Sequence, residues 1–175
     1  ATTTTSCILI GSSAGNLLDG TGPNGSIAIG NSALAVHTTG ARNIAIGWEA
    51  MHDTNAGSTS QDSDDNVFIG YSAAAGTWAN TKSEFNVGVG NYVFNGNMDG
   101  GNYNTALGYA GLRAVTTADY NVAIGSNASD AITTGASNVS VGYDALGEHT
   151  TGARNIAIGH GAMNSTDAGS TSLGS

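Results

Sequence analysis

Cysteine and proline each occur once in 175 residues. Cys7 alone cannot close an intrachain disulfide, so the fold has no covalent staple of its own. Charged residues make up 10% of the chain and aromatics 6%. That is too little bulk to fill the core of a three-layer enzyme domain. Four bases stand against 13 acids, a formal net charge of −9. This sign repels nucleic acid and anionic membrane alike. No Gly-X-Y period is present, which excludes collagen. No apolar run reaches the 18 residues needed to span a bilayer, so no membrane insertion is expected. Neither an initiator Met nor a signal-peptide pattern opens the chain, which reads as a processed product or a segment of something longer.

What is abundant is small. Glycine (27 residues), alanine, threonine, serine and asparagine make up well over half of the sequence. They are arranged in a repeat, and the repeat decides the architecture. A five-residue unit closing on glycine recurs nine times, ending at Gly11, Gly30, Gly47, Gly70, Gly90, Gly108, Gly125, Gly142 and Gly159. Successive closures lie 17 to 23 residues apart, with 17 commonest and the longer units in the first half. One residue before the glycine stand aliphatics such as Ile29, Ile46, Ile69, Ile124 and Ile158; three before stand Ile27, Ile44, Val67, Val122 and Ile156. Of the eighteen residues in these two columns, all but Leu107 are β-branched, which selects strand over helix. Between them sits mostly Ala, Gly or Ser, as in Ala45, Ala123 and Ala157. Residues two apart share a face of a strand, so each strand has a bulky and a small face.

A strand, a glycine corner, a second short strand and a polar turn make one coil of a parallel β-solenoid, all-β, with about nine coils in a single domain over residues 1–175. At ~4.8 Å per coil the rod would be roughly 43 Å long. The aliphatic columns are expected to form a ladder inside. The closing glycine is expected at a corner that needs positive φ or has no room for Cβ. Seven copies begin with Asn (Asn43, Asn66, Asn86, Asn104, Asn121, Asn138 and Asn155), and stacked Asn side chains hydrogen-bond along a solenoid. The segment from His37 to Gly47 recurs unchanged from His149 to Gly159, a duplication that suits a spacer or display surface better than an active site.

A thin coil buries few aliphatics against the backbone entropy it must overcome, so further burial between chains is expected. The flat small-residue face with Ala45, Ala123 and Ala157 is the expected contact, in a closed rotational oligomer. Threefold symmetry is preferred, though the columns alone leave a dimer open.

The repeated Asn-Ile-Ala-Ile-Gly and Gly-Tyr-Asp-Ala-Leu, with Thr-Thr-Gly, resemble the head repeats of YadA-type trimeric autotransporter adhesins. They are more similar still to the longer repeats of phage tail-fibre proteins. The resemblance runs from Cys7 to about Gly169. It implies a left-handed parallel β-roll assembled as an intertwined or side-by-side homotrimer. It also implies an extracellular place on a virion tail fibre or cell surface, contact with other segments of the same fibre, and attachment to a host receptor or glycan.

Chemistry is sparse. Asp62, Asp64 and Asp65 lie in the longest unit and are weak calcium candidates, a solvated loop being the plainer reading. His37 and His149 mark a repeated turn rather than a metal stack. No facing carboxylate pair, nucleophile elbow or phosphate loop is recognisable, and no cofactor is expected. Hexapeptide acyltransferases need an aliphatic every six residues, where Ala35 and Ala41 stand here. Trp48, Tyr71, Tyr109 and Tyr143 follow the closing glycine and are read as packing wedges. Trp78 and Tyr92, in the units with longer inserts, are the candidates for exposed receptor contact. The expected function is a non-enzymatic attachment module, with an end-to-end extracellular filament as the alternative.

Overall fold

The computed structural model describes residues 6–16, 25–37, 40–54, 63–78 and 81–165. Within them the chain is a parallel β-solenoid. Nine three-residue strands, β1 (Ile8–Ile10), β2 (Ile27–Ile29), β3 (Ile44–Ile46), β4 (Val67–Ile69), β5 (Val87–Val89), β6 (Thr105–Leu107), β7 (Val122–Ile124), β8 (Val139–Val141) and β9 (Ile156–Ile158), stack in chain order as one sheet. Each aliphatic column is in register: Ile27 lies beside Ile44, Ile44 beside Val67, and Ile124 beside Val141. The closing glycine's N–H donates to the preceding rung, as Gly30 N to Ile10 O at 2.8 Å. The first strand residue's N–H donates to the following rung, as Ile44 N to Asn66 O at 2.8 Å.

The nine closing glycines hold φ between 126° and 148°, a region that L side chains rarely enter. A Cβ on Gly30, Gly47, Gly90 or Gly125 would also collide with the carbonyl oxygen of the closing glycine on the next rung. Both reasons expected for glycine at this corner therefore apply together.

The two faces of the strands are the reverse of the expectation. The central residues Ala28, Ala45, Phe68, Ala106, Ala123 and Ser140 have no exposed surface, and Ala157 has almost none. The flanking aliphatics point away from the coil: on interior rungs Ile124 is 40% exposed and Val89 37%. The cause is coil thickness. A Cβ at Gly111, three after a closing glycine, would lie 3.4 Å from the Ala106 Cβ, so the two walls meet almost methyl to methyl. Such an interior admits Ala in each rung and has no room for two Ile side chains. Where the strand brings in Phe68, the next rung answers with Gly88, where a Cβ would lie 2.6 Å from the Phe68 ring.

Past the corner the described residues form no second strand. Residues two and four after the glycine adopt left-handed backbone on rung after rung: Glu49 and Met51, Tyr92 and Phe94, Asp144 and Leu146. Alternation of this kind cannot be an extended strand. It still bonds coil to coil, because the two N–H groups point opposite ways: Tyr92 N donates to Tyr71 O (3.0 Å) on the preceding rung and Phe94 N to Gly111 O (3.3 Å) on the following one. Left-handed backbone costs a non-glycine residue about 1 kcal/mol. Leu34, Met51, Phe94, Leu112 and Leu146 offset it by complete burial.

Candidate interaction surfaces

The asparagine column is structural, as expected. Asn104 Oδ1 accepts both the backbone N–H (2.9 Å) and the Nδ2 (3.1 Å) of Asn121, while Asn104 Nδ2 donates to Asn86 Oδ1 (3.1 Å) and to Ala118 O (2.8 Å). The same pattern joins Asn43 to Asn66 and Asn138 to Asn155. All seven members are buried. From Asn43 to Asn138 each amide is occupied by the column and by nearby groups such as Ser63 O or Ala118 O, which leaves little to offer a ligand.

Trp78 is a correction. It has no exposed surface and packs edge-on against Phe68, ring centroids 5.9 Å apart. The longer units bring their bulk inward: Phe68, Trp78, Phe94 and Met98 all lie between the fourth rung and the turn after the fifth, and all are fully buried. Sequence reasoning took the insert for a surface loop. Tyr92 is half-buried, set between Tyr71 (5.4 Å) and Tyr109 (5.7 Å) in edge-to-face contacts. Desolvation, with those two rings adding to it, pushes its hydroxyl pKa up.

Asp64 and Asp65 already have partners. Arg42 grips Asp65 with two hydrogen bonds, 2.6 and 2.7 Å, and reaches Asp64 at 3.5 Å. Asp64 also accepts the N–H of Ala41. The guanidinium holds the Asp65 carboxyl below its ordinary range. Asp62 lies outside the described residues, as do Thr38 and Thr39 of the duplicated turn. Among the described residues no group of three His, Cys, Asp or Glu side chains is placed to hold a metal ion. His37 is fully buried, with Nδ1 3.0 Å from Thr54 Oγ1 and Nε2 3.1 Å from Gly40 O. A neutral ring that donates at one nitrogen and accepts at the other satisfies both. Burial lowers its pKa to about 4.

The surface most unlike that of an ordinary soluble chain is the outward ladder. The exposed large hydrophobics among the described residues are not scattered. They are Val89, Leu107 and Ile124 in the aliphatic columns of interior rungs, Ile8, Leu9, Ile10, Ile156 and Ile158 on the two end rungs, where one side has no neighbouring strand among the described residues, and aromatics that flank those columns in sequence. Two residues before a strand stand Phe85, Tyr103 and Tyr120, stacked face to face at 4.9 and 5.1 Å with interplanar angles of 9° and 4°. Directly after the closing glycine stand Trp48, Tyr71, Tyr109 and Tyr143, each about half exposed. Tyr143 stacks on His160 at 5.1 Å, so the expected packing between rungs is present while an outer surface stays open. The Phe85–Tyr103–Tyr120 stack went unrecognised in the sequence, although the spacings of 18 and 17 residues match the repeat.

The exposed aliphatics gather on the fifth to seventh rungs and at the two end rungs, with the columns half-buried between them, a grouping that singly exposed aliphatics would not give. A second feature lies beyond the corner, on the fifth to seventh rungs. Tyr92, Asn95, Tyr109, Ala110, Arg113, Asn127 and Asp130 line an open groove of about 370 Å³. Arg113 and Asp130 pair across it at 3.1 Å. Desolvation raises the Asp130 pKa in spite of that arginine. Compared with protein-family models, curated proteins and solved structures, the chain matches none of them.

Proposed function

We propose that this chain is a non-enzymatic shaft and attachment segment of a trimeric extracellular fibre, of the phage tail-fibre or surface-adhesin kind. One observation carries the reading: the in-register aliphatic ladder lies on the outside of each coil and is accompanied along its length by exposed aromatic rings. A strip of this kind is covered when copies of the chain set their ladders together around a common axis, the rod then gaining the burial that its thin interior does not supply. Work is done by contact: a stiff scaffold holds turns and grooves outward, and weak contacts multiply across three chains. The repeat resemblance supports the same reading.

Electron microscopy of the isolated chain tests it against the filament alternative. Discrete rods of one length, on the order of 40 Å for nine stacked rungs, are the expected result. Long fibres grown from end-to-end stacking would replace the attachment segment with a filament subunit.

A further inference from the structure

We propose that the groove across the fifth to seventh rungs is a binding site for a neutral glycan. The inference rests on the attachment reading above and gives it a site and a ligand class.

The groove has a definite origin in the repeat. The column two residues after the closing glycine reads Tyr92, Ala110 and Asn127 on these three rungs. Ala110, flanked by two larger side chains, leaves a hollow of which it is the nearly buried floor. The walls carry what a pyranose needs. Tyr109 offers a half-exposed ring, and the edge-to-face contact with Tyr92 restricts how it turns. An apolar sugar face packs on such a ring. Arg113 and Asp130 are planar groups 3.1 Å apart, one donating and one accepting, matched to adjacent hydroxyls. Asn95 directs its Nδ2 to Ser72 O at 2.9 Å, which leaves its side-chain carbonyl as an acceptor. Asn127 adds an amide on the far wall.

Charge selects the class. The arginine and aspartate cancel locally, and the chain as a whole carries −9, so an anionic sugar gains nothing at this site and is repelled at long range. The volume falls within the range of small-ligand sites. Ala110, Arg113 and Asp130 lie two and five residues past the corner, while the aliphatic ladder lies one and three before it. Assembly through the ladder therefore leaves Ala110, Arg113 and Asp130 outward, with Tyr109, one residue past the corner, at the border between the two surfaces.

Ligand-observed saturation-transfer NMR on the full chain tests the proposal. The probes are neutral tri- and tetrasaccharides of glucose, galactose, mannose and their N-acetylated amino sugars, with sialyllactose as the anionic comparator. At least one neutral probe is expected to receive transfer. Binding should weaken at least tenfold in Ala110→Tyr, which fills the hollow with the side chain that Tyr92 carries at nearly the same backbone angle (φ 59° against 54°). Arg113→Ala should weaken it similarly, while Thr151→Ala, exposed and outside both the groove and the ladder, keeps it. Transfer from no neutral probe, preference for sialyllactose, or binding unchanged in Ala110→Tyr overturns the assignment. So does equal loss in Thr151→Ala. Light scattering and circular dichroism on the same samples keep the two readings apart: an intact oligomer without sugar binding removes the groove alone, and a folded monomer removes the fibre reading beneath it.

Discussion

At His37 the fold has placed a titratable ring where water does not reach, and the consequence is a pH dependence with a definite sign. The folded pKa, about 4, lies below the ordinary value of 6.5. Above pH 6.5 the ring is neutral in both states and its contribution to stability is fully present. Between pH 6.5 and 4 the unfolded chain takes up a proton that the folded chain refuses, so stability falls as pH falls. The total loss on reaching pH 4 is about 3 kcal/mol. Urea unfolding at a series of pH values should show it, and the difference between the native chain and His37→Asn isolates it from the carboxylates. An unchanged pH slope in that variant would mean the ring is hydrated in the fold. Nothing in the residue type announced this burial. The sequence marked His37 as a turn residue, and the partner Thr54 lies on a neighbouring unit, 17 residues on.

Among the elements, the asparagine column and the strand register were legible before the structure, because each writes the same residue at the same place in every unit. The inside and outside of the strand were not. Ile-Ala-Ile alternates whichever face is buried, and hydrophobicity alone assigns the larger side chain to the interior. The deciding quantity is the gap between coil walls, and it depends on the turn after the glycine. That turn is built from left-handed Met51, Phe94 and Leu146, residues with no sequence preference for such backbone. The ladder of amides gives the cleanest test at this scale. Asn104→Ala strips the buried N–H of Asn121 and the Asn121 amide of their shared acceptor. Chemical denaturation should record a loss of about 2–4 kcal/mol, several times that of an exposed substitution such as Thr117→Ala. A loss under ~1 kcal/mol would show that the column is decoration rather than the seam between rungs.

For the whole molecule, the inversion of the two faces moves the proposed contact between chains from the small-residue column to the aliphatic columns. The small-residue column with Ala45, Ala123 and Ala157, expected to receive another chain, is filled from within the same coil. The aliphatic columns, expected to be the core of one chain, face outward. The energetic reasoning survives this exchange, because a thin coil still needs apolar burial beyond its own, and the structure leaves a strip suited to supplying it. The proposed glycan contact was foreshadowed in the sequence only as a class of expectation. The specific groove depends on a single small residue, Ala110, between two larger ones, and that gap becomes visible only once the rungs are stacked. The central claim is that copies of the chain join through the Ile/Val ladder, and size-exclusion chromatography with light scattering measures it most directly. The account predicts a mass near three times 17.3 kDa for the native chain, and a folded monomer when Ile46→Lys and Ile124→Lys place two charges on the ladder. A native chain that is itself a folded, monodisperse monomer of 17.3 kDa would contradict it.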